Sequence, residues 1–573
     1  MTALLRIACD FQPGELERRV AKIAEFLGVP FSFVLSASNG NDSNSVVVAH
    51  WKTLATFPDQ AKALFVYGWN GSAESNEALK RLTHGAVLGS RQNENASRHI
   101  SVAADSSEVT SHWAGLDFQL NGGNGSGSFE INGRASHCQT FSSNNRGPFF
   151  ARLTTDHAQL FLLAGEEIAD LDSPAPRNAT ALNEFESLVP LMMFIRHCFR
   201  EQCWHAPVAR ACFIIDDPLL TKRYGHLDYE KLLQSMERER YCASIAFIPW
   251  NYRRTDGHSA AFFKAHFDRY GLCVHGCNHI QGEFGGLDPN SLRKLASKAL
   301  WRMERHHSLS GLPFAPVMVF PQGIFSSHAM AALSQTGYLS AVNTSPFPAD
   351  EPDCLALRHL LEPAITHFSN FALFMRRYPR NIAEFALDLF VGKPLLIVEH
   401  HSYFRDDCRA AGQFGARLNS LAPHLEWSDL NTICSRSSLI RRDFKRRQCI
   451  RFFTDRFVIK ADAAGLDSAF LYRRASHAEP PPVVTINSKP AEATVIGGEL
   501  KIPISLEPST EAEVLVQRNR ADPKIHCEPE SLLFNTRITL RRRACEFRDN
   551  VVDKSPWASS LADKSIKWLR NQK

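Results

Sequence analysis

The spacing of apolar positions changes several times along this chain, and each change predicts a different kind of element. Residues Glu15–Leu27 repeat apolar positions with helical spacing, while 31–35, 46–49 and 63–67 are short β-branched and aromatic runs. Helix and strand alternate here, so residues 1–100 read as a small α/β layer domain. From about 99 to 165 the pattern becomes one of strands and turns, and 182–200 reads as a helix, giving a β-rich region with its connecting helix over 101–203. Between 204 and 435, apolar strand-like runs recur at 212–215, 243–248, 272–274, 316–320 and 395–398, with helical patterns at 229–240 and 291–306 among them. Such alternation predicts parallel strands joined by crossover helices, in a barrel or a doubly wound sheet. Either architecture gathers its chemistry at the C-terminal ends of the strands. Beyond 436, short β-rich runs return (456–460, 483–486, 500–504, 514–517) around the breaker Pro480-Pro481-Pro482, and 561–571 has helical character. The segment 436–573 therefore reads as a β-sandwich-like module with a terminal helix. No internal repeat is present.

Composition narrows the picture. A chain of 573 residues with 44% hydrophobic and 22% charged positions has the balance of a folded protein of several domains. Its net charge of +5 is small for the length and does not argue for nucleic acid or an anionic membrane surface. Basic residues cluster at Arg436, Arg441, Arg442, Lys445, Arg446 and Arg447, which reads as a solvated helix face or joining segment. A second cluster, Arg541-Arg542-Arg543, reads as a basic edge strand. No apolar run reaches the ~20 residues of a membrane span, and the first residues lack the basic start and apolar centre of a signal peptide. The expectation is a cytoplasmic protein. Fourteen cysteines without a regular framework fit reduced thiols.

Candidate chemistry lies in two short segments. An apolar run ends in Asp216-Asp217-Pro218, and His275-Gly276-Cys277-Asn278-His279 follows about sixty residues later. One carboxylate and two imidazoles are a ligand set for a divalent ion, leaving the second carboxylate to take a proton. Each piece has a plainer reading: Asp before Pro favours a turn, and each histidine is compatible with a hydrogen-bonded core position. A structural zinc knot of Cys273, His275, Cys277 and His279 has single-residue spacings, where such sites usually space ligands by two or more. The Gly/Asn/Ser-rich stretch 121–128 lacks the Lys-Ser/Thr ending of a phosphate loop and reads as a surface loop. The pairs His137-Cys138 and His197-Cys198 fall in separate elements and read as structural. Glu283 reads as a solvated loop acid.

These motifs resemble the polysaccharide deacetylase superfamily, of the NodB-homology or carbohydrate esterase family 4 type, over roughly residues 205–435. The resemblance implies a NodB-like distorted (β/α) barrel as the central domain, flanked by the N-terminal α/β plus β region and the C-terminal β module. It implies Asp216 as catalytic base and Asp217, His275 and His279 as ligands of a divalent metal, Zn first, with Mn, Fe or Co as alternatives. Gly276 replaces the family's usual hydroxyl residue. The segment Val319-Phe320-Pro321-Gln322-Gly323 is similar to the family's Pro-Tyr-Gly loop, which implies substrate contacts from Pro321, Gln322 and Gly323 and oxyanion-stabilising N–H groups near Gln322 and Gly323. Leu395 to His401 is similar to the strand that carries the catalytic histidine. His400 fits the Leu-x-His pattern better, and His401 is its neighbour. Trp250 and Tyr252, past a strand end, are candidates to stack on sugar rings. The arginine that orients the family's catalytic aspartate is absent at Val319 and Phe320, with Arg376 or Arg377 as substitutes. The implied activity is removal of an N-acyl, typically acetyl, group from a carbohydrate or related amide, in a bacterial enzyme of glycan metabolism. The alternative is a non-catalytic carbohydrate-binding or scaffold protein that keeps the fold.

Overall fold

The structure, a computed structural model, describes residues 4–554 apart from 36–44, 57–60, 93–96, 122–126, 136, 155–157, 178–179, 352, 476–481 and 518–530. The loop residues 122–126, Pro480, Pro481 and the helix expected at 561–571 lie outside the described residues.

The N-terminal region is built on one nine-stranded sheet. Its parallel half runs Phe31–Leu35, Leu5–Cys9, Val46–His50, Ala63–Trp69 and Gln159–Ala164. Its antiparallel half continues through Gly147–Thr154, Cys138–Asn144, Ser97–Val102 and Asp117–Asn121. The sheet thus runs across the boundary expected near residue 100. Helix Glu15–Leu27 buries Val20, Ile23, Ala24 and Leu27, one stripe at helical spacing. It stops at Gly28, whose φ of +79° suits glycine and where a Cβ would meet the Trp204 ring at 2.6 Å. Helix Phe185–Phe199 follows a short 3₁₀ turn, Ala181–Glu184, and is apolar nearly all round because it sits inside this core.

The central domain is a nearly closed parallel barrel. Its strand order is Leu373–Met375, Ser340–Asn343, Ala315–Val319, Tyr270–His275, Ala243–Phe247, Arg210–Asp216, Leu395–His400, with the short Glu426–Trp427 also paired to Arg210–Asp216. All of these pairings are parallel. Arg377 closes the ring: its N–H donates to the Leu396 carbonyl at 2.8 Å, and the Val398 N–H donates to the Arg377 carbonyl at 2.9 Å. Alternate strand residues divide into two cores. Phe213, Ile215, Val274 and Ile397 pack with the surrounding helices. Cys212, Ile214, Cys273, Val319, Val342, Phe374 and Leu396 form the inner core, with Leu430, Ile433 and Cys434 packed among them. Continued by two residues, this inner set reaches Asp216, His275 and Arg376, and continued by four from Leu396 it reaches His400.

The C-terminal module packs a five-stranded sheet against a four-stranded one over a shared apolar core. Its first basic cluster lies in a hairpin rather than on a helix face, apart from Arg436, which ends helix Leu430–Arg436. Strands Ser438–Arg442 and Gln448–Phe452 pair antiparallel, and Asp443 binds Arg447 across the turn. Arg541, Arg542 and Arg543 lie in helix Leu532–Phe547, which continues into a π-helical turn, Arg548–Val552, so the edge-strand expectation is corrected. Among the described residues no helix is long and apolar enough to cross a membrane.

Candidate active site

Asp216 ends its strand, and the chain turns at once: Asp217 has φ +77°, a conformation that breaks strand pairing and points consecutive carboxyls in different directions. His275 ends the next strand but one in the sheet, and the following turn returns His279 to the same point. Asp217 Oδ1 lies 3.1 Å from His275 Nε2 and 2.8 Å from His279 Nε2. That oxygen is buried without a hydrogen bond of acceptable geometry. His275 Nδ1 lies 3.0 Å from the Val319 carbonyl, which places the ring proton on Nδ1 and leaves Nε2 with its lone pair in the neutral ring. In that neutral tautomer a carboxylate oxygen and a ring-nitrogen lone pair face the same point. The residues fit a divalent cation.

The turn between the histidines is organised by Glu283. Its carboxylate accepts the N–H groups of Cys277 (2.8 Å), Asn278 (3.0 Å) and His279 (3.1 Å). The solvated-loop expectation for Glu283 is corrected: the acid is a clamp. Gly276 is required beside it, since φ is +63° and a Cβ would stand 2.1 Å from Glu283 Oε1 and 2.4 Å from Pro321 Cγ. No hydroxyl residue fits there. Arg302 supports the turn from below, donating to the Cys277 carbonyl (3.1 Å) and Asn278 Oδ1 (2.8 Å) and covering the Trp250 ring at 4.7 Å. Cys277 is thus engaged with Arg302, and Cys273 faces the inner core, so neither joins the histidines.

Asp216 is buried and gripped at both oxygens by Arg376, at 2.6 and 2.8 Å. Burial pushes its carboxyl pKa up, but the charge and hydrogen bonds of Arg376 oppose that most strongly and the carboxyl stays below the usual range. Of the two arginines expected as substitutes, Arg376 is the one that meets Asp216, from the position two residues past Phe374. Arg377 is committed elsewhere, to Asp388 at 2.6 and 3.0 Å. His400 pairs in register with Asp216 on the adjacent strand.

His401 turns to a different set of partners. Its Nδ1 accepts the His226 N–H at 3.5 Å, and its Nε2 faces Asp549 Oδ1 (3.6 Å) and Asp553 Oδ2 (3.8 Å) of the C-terminal segment. That segment is fastened across the barrel mouth. Tyr224 donates to Asp549 at 2.6 Å, the Gly225 N–H donates to Asn550 Oδ1 at 2.9 Å, and Arg254 forms a two-point pair with Glu546.

The expected sugar-contact residues are engaged as follows. The backbone N–H of Trp250 donates to the Cys277 carbonyl (3.1 Å), tying it to the histidine turn, and Tyr252 packs edge-on against Trp301. Pro321 is buried against that turn, Gln322 is exposed, and the Gly323 N–H donates to Phe320 O at 3.2 Å within its own turn. The donor expected of Gly323 is therefore already used. Beside Arg376 lies a cleft of about 470 Å³, lined by Gln119 and Asn183 of the N-terminal region and by Thr344, Tyr378 and Arg380. Sequence reasoning missed this cleft because its walls come from segments more than 150 residues apart.

The parallel barrel thus carries at its strand ends an Asp-Asp pair, an HxxxH turn and a late histidine. No protein-family profile and no curated protein matches the chain. Among solved structures the chain is similar to Agd3, described as a novel carbohydrate deacetylase, at 9% identity and a TM-score of 0.47, over 90% of this chain and 99% of that one. It is also similar to a family 4 carbohydrate esterase from Streptomyces lividans (12% identity, TM-score 0.24, 39% of this chain and 94% of that one). A family 4 pseudoenzyme from Bacillus anthracis is matched at 10% identity and a TM-score of 0.24, over 40% of this chain and 66% of that one.

Proposed function

We propose that this chain is a metal-dependent hydrolase that removes an N-acyl group from a carbohydrate or a related amide. The observation that carries the reading is the convergence of Asp217, His275 and His279 on one point beside an Asp216 kept ionised by Arg376. Asp217, His275 and His279 would hold a divalent ion, Zn or a first-row relative, which when bound supplies Lewis acidity toward the acyl carbonyl and acidifies water.

The chain's own residues divide the remaining work. Asp216 takes the proton of the attacking water, a step worth ~10²–10⁴-fold when the base is well placed. Its two bonds to Arg376 leave each oxygen a further lone pair for that proton. His400, in register with Asp216, returns a proton to the leaving nitrogen. The water oxygen bonds to the acyl carbon, the C–N bond breaks, and the products are a free carboxylate and an amine. The cleft beside Arg376 offers polar side chains and the Tyr378 ring, a lining suited to a hydroxyl-rich glycan.

The non-catalytic alternative drew its support from the missing arginine, and Arg376 removes that support. The test is metal content together with acetate release from N-acetylated oligosaccharides, for the wild type and Asp216→Asn. About one metal per chain in both proteins, with release only from the wild type, is expected. A folded protein that takes up no metal and releases no acetate across the panel would overturn the reading.

A further inference from the structure

Helix Leu532–Phe547 presents one face to the protein: Ile538, Arg542 and Glu546 are buried, and Asp549 in the following turn is buried too. The spacing 538, 542, 546, 549 is a single helical stripe. Three of its members have evident partners. Ile538 is apolar, Glu546 pairs with Arg254, and Asp549 accepts from Tyr224 and from Arg548. Arg542 does not share in this. It is 3% exposed, and neither Nε nor Nη2 has a hydrogen-bond partner among the described residues.

A guanidinium is always charged and carries five donors, so burying it unpaired is costly. The nearby acids are already occupied. Glu546, one turn on, is held at two points by Arg254, and Asp549 is held by Arg548 and the Tyr224 hydroxyl. The location gives this buried guanidinium a meaning. Tyr224 and His401, the residues of the barrel mouth that meet the stripe, pack ring to ring at 5.8 Å. Burial raises the Tyr224 phenol's pKa and Asp549 adds to that, while the charges of Arg542 and Asp217 act on the same hydroxyl with opposite signs. Arg542 lies one turn before Glu546 on the same stripe, whose later members meet Arg254 and Tyr224 of the barrel mouth.

We propose that Arg542 binds an anionic group of the ligand in the barrel mouth, and that this group is a carboxylate. The planar fork of an arginine matches the two oxygens of a carboxylate. Two sources have this chemistry: an acid group on the sugar, as in a uronate, and the carboxylate released by deacylation. The assignment of the ligand as glycan or acyl product rests on the hydrolase reading; binding of a carboxylate by Arg542 does not.

The experiment uses the full-length chain, freed of metal with a chelator so that no ion competes for the anion. Sodium glucuronate, sodium acetate and neutral N-acetylglucosamine are titrated by calorimetry against the wild type, Arg542→Gln and Arg542→Lys. A carboxylate that binds the wild type, loses at least about tenfold in affinity with Arg542→Gln and less with Arg542→Lys is the expected result. Binding of glucuronate alone assigns the acid sugar, and equal binding of acetate assigns the released acyl group. Neither carboxylate binding the wild type, or equal binding to both variants and the wild type, overturns the proposal. If Arg542→Gln does not fold, the wild type and Arg542→Lys decide it alone, since a carboxylate must bind the first and bind the second more weakly. Because no turnover is read, failure of the hydrolase reading leaves this outcome unchanged. Conversely, acetate release without carboxylate binding would remove Arg542 and keep the hydrolase.

Discussion

Two histidine–carboxylate clusters sit at the mouth of the barrel, and they are built on opposite principles. In the first, Asp217, His275 and His279 come from two strand ends, and the central oxygen has two ring nitrogens near it but no hydrogen bond. In the second, His401 faces Asp549 and Asp553 from 3.6 and 3.8 Å, with its proton on Nε2 because Nδ1 accepts from His226. Both oxygens of Asp549 are already bonded, one to Arg548 and one to Tyr224. The residue types are the same, and the placement of protons separates them. A cluster with lone pairs facing lone pairs asks for a cation, whereas one whose acceptors are filled by donors ties two segments together.

That contrast can be broken most forcefully at the first cluster. His275→Ala or Asp217→Ala is expected to abolish stoichiometric metal binding and to lower deacylation by at least ~10³-fold, equivalent to about 4 kcal/mol of barrier. Elemental analysis and turnover on the same preparation check both. Next comes the clamp on Asp216. Arg376→Ala leaves a buried carboxylate unpaired and should cost about 3–5 kcal/mol of stability, read by urea unfolding, with Arg376→Lys losing less. Gly276→Ala forces a Cβ against Glu283 at a positive φ. It should cost on the order of 1–3 kcal/mol and weaken metal affinity with the overall fold retained by circular dichroism. The smallest effect is expected at the second cluster. Asp549→Asn should leave metal stoichiometry unchanged and lower activity by about tenfold or less. Loss of a metal equivalent in that variant would erase the distinction between the clusters.

What the sequence revealed follows the same division. Asp216, Asp217, His275 and His279 were legible because each pair is local and sits where an apolar strand run ends. Strand alternation allowed only one of His400 and His401 into the site, and the family's Leu-x-His pattern named His400, which pairs in register with Asp216. Arg376 was harder to find, since its partner is 160 residues away and the pairing needs the barrel to close through Arg377. Glu283 looked like a loop acid because three backbone N–H groups converging on one carboxylate leave no trace in composition. The C-terminal helix was misread from its three consecutive arginines. The spacing of Ile538, Arg542, Glu546 and Asp549 was the available signal, and basic neighbours at 541 and 543 masked it. The N-terminal sheet was divided near residue 100 because its parallel and antiparallel halves have different local patterns, although they share one ladder.

The segment that crosses the barrel mouth is also the last described part of the chain to be made. Asp553 follows His400 by 153 positions, and at ~5–20 residues per second a ribosome needs roughly 8–30 s to cover that distance. Asp217, His275, His279, Arg376 and the late histidine are all synthesised before Tyr224 and His401 acquire their covering. A nascent barrel thus has an interval in which its mouth lies open to ions, before its own tail narrows the way in.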